Sequence, residues 1–120
     1  MSTTGRKDTC DVLCFNKDVV SRIKKQLPYE SKIAQVADMY SILGNTTRIK
    51  IIFALLKERE LCVCDMANIV ELTISATSHQ LRKLRDKKVV ICRNDGNIVY
   101  YSIYDDYVKK TLSEAFINIE

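Results

Sequence analysis

A mainly helical α+β domain, in which a helix-turn-helix is followed by a β-hairpin, is the fold class this sequence predicts. Three observations carry the prediction. Apolar residues recur at helical spacing along Ser31–Leu43 and again from Ile49 to Leu56. Two helical stretches, Asp65–Val70 and Thr73–Lys88, follow with only a brief turn between them. Two β-branched and aromatic runs, Val89–Arg93 and Ile98–Ile103, then flank Asp95-Gly96, a strong short-range hairpin signal.

In chain order, residues 1–17 read as a polar arm with little periodicity, and residues 18–120 as the folded domain. Asp18–Leu27 is a candidate helix stopped by Pro28. In the next helix Ile33, Val36, Ala37, Tyr40 and Leu43 fall on one side, and Gly44 reads as its C′ residue. Asn45 or Thr46 caps a third helix whose stripe Ile49, Ile52, Phe53 and Leu56 reads as core. In the Thr73–Lys88 helix, capped by Thr73, Ile74, Leu81 and Leu84 are expected inside. Asp105–Asn118 is a last helix with Val108, Leu112, Ala115, Phe116 and Ile119 on one side. So apolar a helix on so small a domain points to a dimer seam; intrachain core is the alternative.

At 120 residues the chain suits one domain. No run of about 18 apolar residues is present, so no membrane span is expected. The polar start lacks the apolar core of a secretion signal, which places the chain in the cytoplasm, where thiols stay reduced. Five cysteines in that compartment point to metal or redox chemistry before disulfides. The net charge of +4 is unevenly spread. Thr73–Arg93 holds six basic residues against Asp86, a balance of +5, whereas Asn94–Glu120 balances at −3. This asymmetry marks a local anion-binding face.

Two pairs of thiols carry the chemistry. Cys62 and Cys64 are two residues apart, about 200° on a regular helix of 3.6 residues per turn, so a helix interior cannot aim both at one ion. They reach one ion if Cys62 lies in the extended approach and Cys64 in the first turn, where the positive end of the helix favours the ligating thiolate. Cys10 and Cys14 stand at i and i+4 in the arm. Either pair alone also reads as incidental or packed thiols. Cys92 lies in a strand without a neighbouring thiol and reads as packing. On the Thr73–Lys88 helix, Ser75, Ser78, His79, Gln80, Arg82 and Lys83 are left outward. Short hydroxyls, an amide and an imidazole near a helix start suit base edges and phosphates in a major groove. A merely solvated polar face is the bland alternative. Arg93, Asn94 and Asn97 are placed at the hairpin tip, within reach of backbone phosphate.

Four ordered stretches resemble one family. Leu43-Gly44-Asn45-Thr46-Thr47-Arg48-Ile49-Lys50-Ile51-Ile52 resembles the LGDPTRLRIL segment of the ArsR/SmtB family of metal-sensing repressors, and Glu60-Leu61-Cys62-Val63-Cys64-Asp65 its ELCVCD metal box. Ser78-His79-Gln80-Leu81-Arg82 is similar to its recognition helix, and Asn97-Ile98-Val99-Tyr100-Tyr101-Ser102 to its wing. The arm pair is similar to the cadmium-responsive, CadC-type branch. The resemblance implies a winged helix-turn-helix with a two-stranded wing, in a homodimer that binds double-stranded operator DNA and lets go when metal binds. It makes Cys10, Cys14, Cys62 and Cys64 the thiolates, with the arm of one protomer reaching the Cys62-Val63-Cys64 helix of the other, and sets Ser75, Ser78 and His79 against DNA. Arsenic sensors carry a third Cys where this chain has Ala67. The second zinc site of many relatives uses Asp, His, His and Glu; Asp105 matches, but Tyr107 stands for the first His and no later His follows.

Four thiolates form a soft, closed set that favours zinc, cadmium or lead over magnesium or calcium and leaves no position for activated water. No enzyme and no small organic substrate are expected. A winged-helix repressor sensing oxidants or persulfides through its cysteines is one alternative. A zinc-stabilised protein-interaction module is the other.

Overall fold

Among the described residues the polypeptide builds six helices and three strands in the order α1 (Lys17–Gln26), α2 (Glu30–Leu43), α3 (Thr46–Lys57), β1 (Leu61–Cys62), α4 (Val63–Val70), α5 (Ile74–Asp86), β2 (Val90–Asp95), β3 (Ile98–Ile103) and α6 (Asp106–Asn118). This is a computed structural model, and it describes residues 12 and 14–119. The chain falls into two units, Met1–Ile33 and Ala34–Glu120.

In the first unit, Asn16 caps α1 by accepting a hydrogen bond from the Val19 amide at 3.1 Å. Leu27 is extended, at ψ 134°, because Pro28 disfavours helical geometry in the residue before it. No residue of α1 is buried, and Val19, Val20, Ile23 and Leu27 are all exposed.

The second unit holds the core. Ile51, Ile52 and Leu55 of α3 meet Met66 and Val70 of α4, Leu81 and Leu84 of α5, Val90 and Tyr101 of the sheet, and Val108 and Leu112 of α6. Thus α3 buries Ile51, Ile52, Ala54 and Leu55, while Phe53 is exposed and Ile49 half-buried. The expected stripe is rotated about the helix. Its outer half lines an open apolar groove of about 600 Å³ with Leu61, Ile69 and Phe116. Phe53 and Phe116 meet there edge to face, centroids 4.8 Å apart.

The α2 stripe also turns outward. Val36 and Tyr40 are exposed, Leu43 is buried, and Met39 and Ile42 pack on the core instead. Gly44 follows α2 directly but is not left-handed. The helix ends through a tight bond from the Gly44 amide to the Ser41 carbonyl. Asn45, not Thr46, caps α3, accepting from the Arg48 amide at 3.1 Å.

Glu71 ends α4 in the left-handed region at φ 59°, making the turn into α5. Thr73 caps α5 through a 3.0 Å bond from the Ala76 amide. The inward residues of α5 are Thr77, Leu81 and Leu84. Ile74, expected inside, is 54% exposed, because the core does not extend to the first turn of this helix. Strands β2 and β3 pair antiparallel from Val90↔Ile103 to Asp95↔Ile98, leaving Gly96 and Asn97 as a two-residue turn. Gly96 has φ +63° and Asn97 does not, the pattern of a turn with glycine first. The short β1 adds to the other side of β3, so the sheet has three strands in the order β1-β3-β2. Asp105 caps α6, whose Val108 and Leu112 belong to the intrachain core, while Phe116, Ile117 and Ile119 are exposed.

Candidate metal centre and nucleic-acid interface

The chain enters α4 from β1, and that junction sets the thiols. Leu61 pairs with Tyr101 and Cys62 with Tyr100. Directly opposed residues of an antiparallel pair share one face. Leu61 therefore lies on the face of buried Tyr101, and Cys62 on the other, with Tyr100. Cys62 is extended, at φ −81° and ψ 163°, and stands as the N-cap residue of α4 without a side-chain cap bond. Cys64 is the second helical residue and is exposed. This is the arrangement that lets two thiols two residues apart serve one ion. Both are free, as is exposed Cys14; Cys10 lies outside the described residues.

Among the described residues no group of three or more His, Cys, Asp or Glu side chains converges as a metal site. Cys62 and Cys64 have the donor chemistry for a soft ion, but they need further ligands. Ala67, the position of the third thiol in arsenic sensors, is buried in the core. Asp105 spends a carboxylate oxygen on the Tyr107 and Val108 amides, at 2.9 and 3.3 Å. Tyr107 bonds its hydroxyl to that of Tyr40 at 2.7 Å, which raises the Tyr40 phenol above its ordinary value. Cys92 faces Tyr101 across β2 and β3, on the face opposite Cys62, and is half-buried against the core. That placement accords with a packing role.

On α5, Ser75, His79, Arg82 and Lys83 are exposed. Ser78 and Gln80 are only half exposed, and the buried Gln80 Oε1 has no partner among the described residues. Asn97 occupies the turn of the hairpin. Arg93 does not sit at the tip. It lies opposite Tyr100, with the Asn94↔Val99 and Asp95↔Ile98 pairs between it and the turn. Its Nε donates to Glu60 Oε2 at 2.7 Å and its terminal nitrogen to Glu60 Oε1 at 2.8 Å. The guanidinium also lies over the Tyr100 ring, 4.6 Å from the centroid. Hydrogen bonding to Arg93 holds the Glu60 carboxyl below its usual range, partly opposed by burial, and Glu60 raises Arg93 in turn. Glu60 is a partner of Arg93 that local pattern does not reveal, because the two are 33 positions apart, whereas Tyr100 reaches Arg93 across the β2–β3 hairpin.

Residues 45–91 match the family described as bacterial regulatory protein, arsR family. A cadmium resistance transcriptional regulatory protein, CadC homolog, of Staphylococcus aureus is 40% identical over 112 residues, covering 93% of this chain and 92% of that protein. The chain belongs to the ArsR/SmtB family. Its fold is the winged helix-turn-helix of that family, with α4 and α5 as the helix pair and β2–β3 as the wing. The crystal structure of the AntR antimony-specific transcriptional repressor superposes with a TM-score of 0.71 at 30% identity, covering 78% of this chain and 84% of that one. A homodimeric winged helix-turn-helix DNA-binding domain from Mycobacterium bovis gives 0.66 at 25% identity, over 75% and 85%. ArsR/SmtB proteins of this kind are transcriptional regulators, not enzymes. No helix among the described residues is long and apolar enough to cross a membrane.

Proposed function

We propose that this ArsR/SmtB protein is a homodimeric repressor that holds operator DNA when metal-free and leaves it when cadmium, lead or zinc binds its thiolates. The observation that carries this reading is the junction of β1 and α4. It sets Cys62 in an extended cap and Cys64 in the first helical turn, both free and clear of the core. Cys10 and Cys14, in an arm formed by residues 1–17, complete the ligand set from the partner protomer. The name of the Staphylococcus aureus relative supports cadmium as one inducer. A thiolate-bound ion ties the arm to the start of α4, and because ligation displaces protons it weakens as pH falls. To act as an inducer it binds the DNA-free conformation more tightly than the DNA-bound one.

DNA contact falls to Ser75, Ser78, His79, Gln80, Arg82 and Lys83 of α5, with Arg93 and Asn97 of the wing. The exposed start of α5 and its basic second half support this face. Exposed Phe116, Ile117 and Ile119 of α6 and the outward stripe of α2 support a seam between protomers.

The test is a titration of the reduced protein against an operator duplex selected in vitro, followed by fluorescence anisotropy with and without cadmium, lead and zinc. Binding when metal-free, release with a stoichiometric thiolate-to-metal absorption band, and a loss of about 1–3 kcal/mol on Ser78→Ala or His79→Ala are expected. Undiminished operator binding at saturating metal defeats the proposal.

A further inference from the structure

Cys62, Tyr100 and Arg93 share one face of the three-stranded sheet, because Tyr100 is the cross-strand partner of both the others. Glu60, two residues before Cys62, closes the ring by gripping Arg93 with both carboxylate oxygens. The segment that carries the thiols is thus joined to the wing twice, by β1–β3 pairing and by the Glu60–Arg93 fork, and the Tyr100 ring backs the guanidinium from within the wing.

A guanidinium fork fits a carboxylate and a phosphate in the same way. In this structure the Nε edge of Arg93 is already on a carboxylate, its charge is neutralised there, and its face is covered by Tyr100. Arg93 cannot offer that edge to a phosphate without leaving Glu60.

We propose that Glu60 is a positioning residue that competes with the nucleic-acid backbone for Arg93, and that ligation at Cys62 and Cys64 strengthens its hold. This inference rests on the reading of the two cysteines as the inducer site and of the wing as a DNA contact. β1 is two residues long, so its geometry follows whatever fixes its ends. Fixing Cys62 and Cys64 against each other fixes Glu60 beside the wing. Presenting the Nε edge of Arg93 to a phosphate requires the fork to open; a bound thiol site opposes that opening.

The test compares the full-length parent with Glu60→Gln, Glu58→Gln and Arg93→Lys on the in vitro-selected duplex. Glu58 is exposed at the end of α3, and its substitution removes the same charge without touching the fork. Metal-free Glu60→Gln should bind DNA about two- to fivefold more tightly than parent and Glu58→Gln, the range expected of an exposed ion pair. Its cadmium-induced loss of affinity should be smaller than the parent's by about the same factor, with an unchanged cadmium absorption band. With cadmium bound, the slope of log affinity against log salt should steepen by about 0.9 for each wing that regains a phosphate. Arg93→Lys, which keeps the charge and loses the fork, should also show a reduced cadmium effect. Equal affinity and equal cadmium effect in Glu60→Gln and parent overturn the proposal, as does a Glu58→Gln protein that behaves like Glu60→Gln. A parent that ignores cadmium overturns the thiol reading beneath it, a result visible without any Glu60 variant.

Discussion

Cys14 and Cys62 are both free thiols, yet their surroundings differ in kind. Cys62 is fixed by strand pairing on one side and by the start of α4 on the other, next to a core that includes Met66 and Val70. Cys14 is exposed in irregular chain ahead of α1, a helix that buries no residue. A donor held by its fold is in place before an ion arrives, while a donor on exposed chain loses conformational entropy when it is recruited. On the function proposed above, coupling is expected of the Cys62–Cys64 pair and added affinity of the arm.

Stability separates the two regions most sharply. Leu81→Ala, at a fully buried core site on α5, should lower unfolding free energy by about 2–5 kcal/mol, whereas Cys14→Ser should leave the urea midpoint unchanged. Equal midpoints for Leu81→Ala and parent would break the comparison at its base. Coupling comes next. Cys62→Ser and Cys64→Ser should keep metal-free operator binding and lose the cadmium response, a coupling of about 1–3 kcal/mol. Cys14→Ser should still respond, at higher cadmium concentration, and Cys92→Ser should titrate like the parent. A Cys62→Ser protein released at the parent's cadmium concentration would put the inducer site elsewhere.

A smaller effect tests the turn on which the helix pair depends. Glu71 holds a left-handed φ of 59°, a conformation that is strained for any residue with a Cβ. Glu71→Gly should raise stability by about 1 kcal/mol, read as a higher urea midpoint with unchanged operator affinity. The smallest effect is a pH dependence. The Glu60 carboxyl titrates below its ordinary value of 4.5 because Arg93 hydrogen-bonds to it. A carboxyl depressed in the folded state stabilises it above the unfolded value and loses that contribution as pH falls through the folded one. The urea midpoints of parent and Glu60→Gln should differ by a constant amount near neutrality and converge as pH falls below 4.5. A gap that stays constant down to pH values below the folded-state titration would show that the fork contributes nothing to stability.

What the sequence determined by itself is local. Caps at Asn16, Asn45, Thr73 and Asp105, the stop before Pro28 and the hairpin around Gly96 each depend on a few neighbouring residues, and each stands where its chemistry requires. A spacing of two only sets the condition for Cys62 and Cys64 to reach one ion; the extended Cys62 cap that meets it is seen in the folded chain. Burial was decided otherwise. Ile49 and Phe53 satisfy helical periodicity as well as Ile51 and Leu55 do, but only the second pair is buried; Ile49 is half-buried, and Phe53 meets α6 at the exposed Phe116 ring. Ile74 fits the α5 stripe, yet the core ends one turn short of it. Arg93 reads from the sequence as a free cation near a hairpin tip. The hairpin sets Tyr100 opposite it, but only the pairing of β1 with β3 brings Glu60 to it, because β1 comes from a distant part of the chain and no local pattern encodes that meeting.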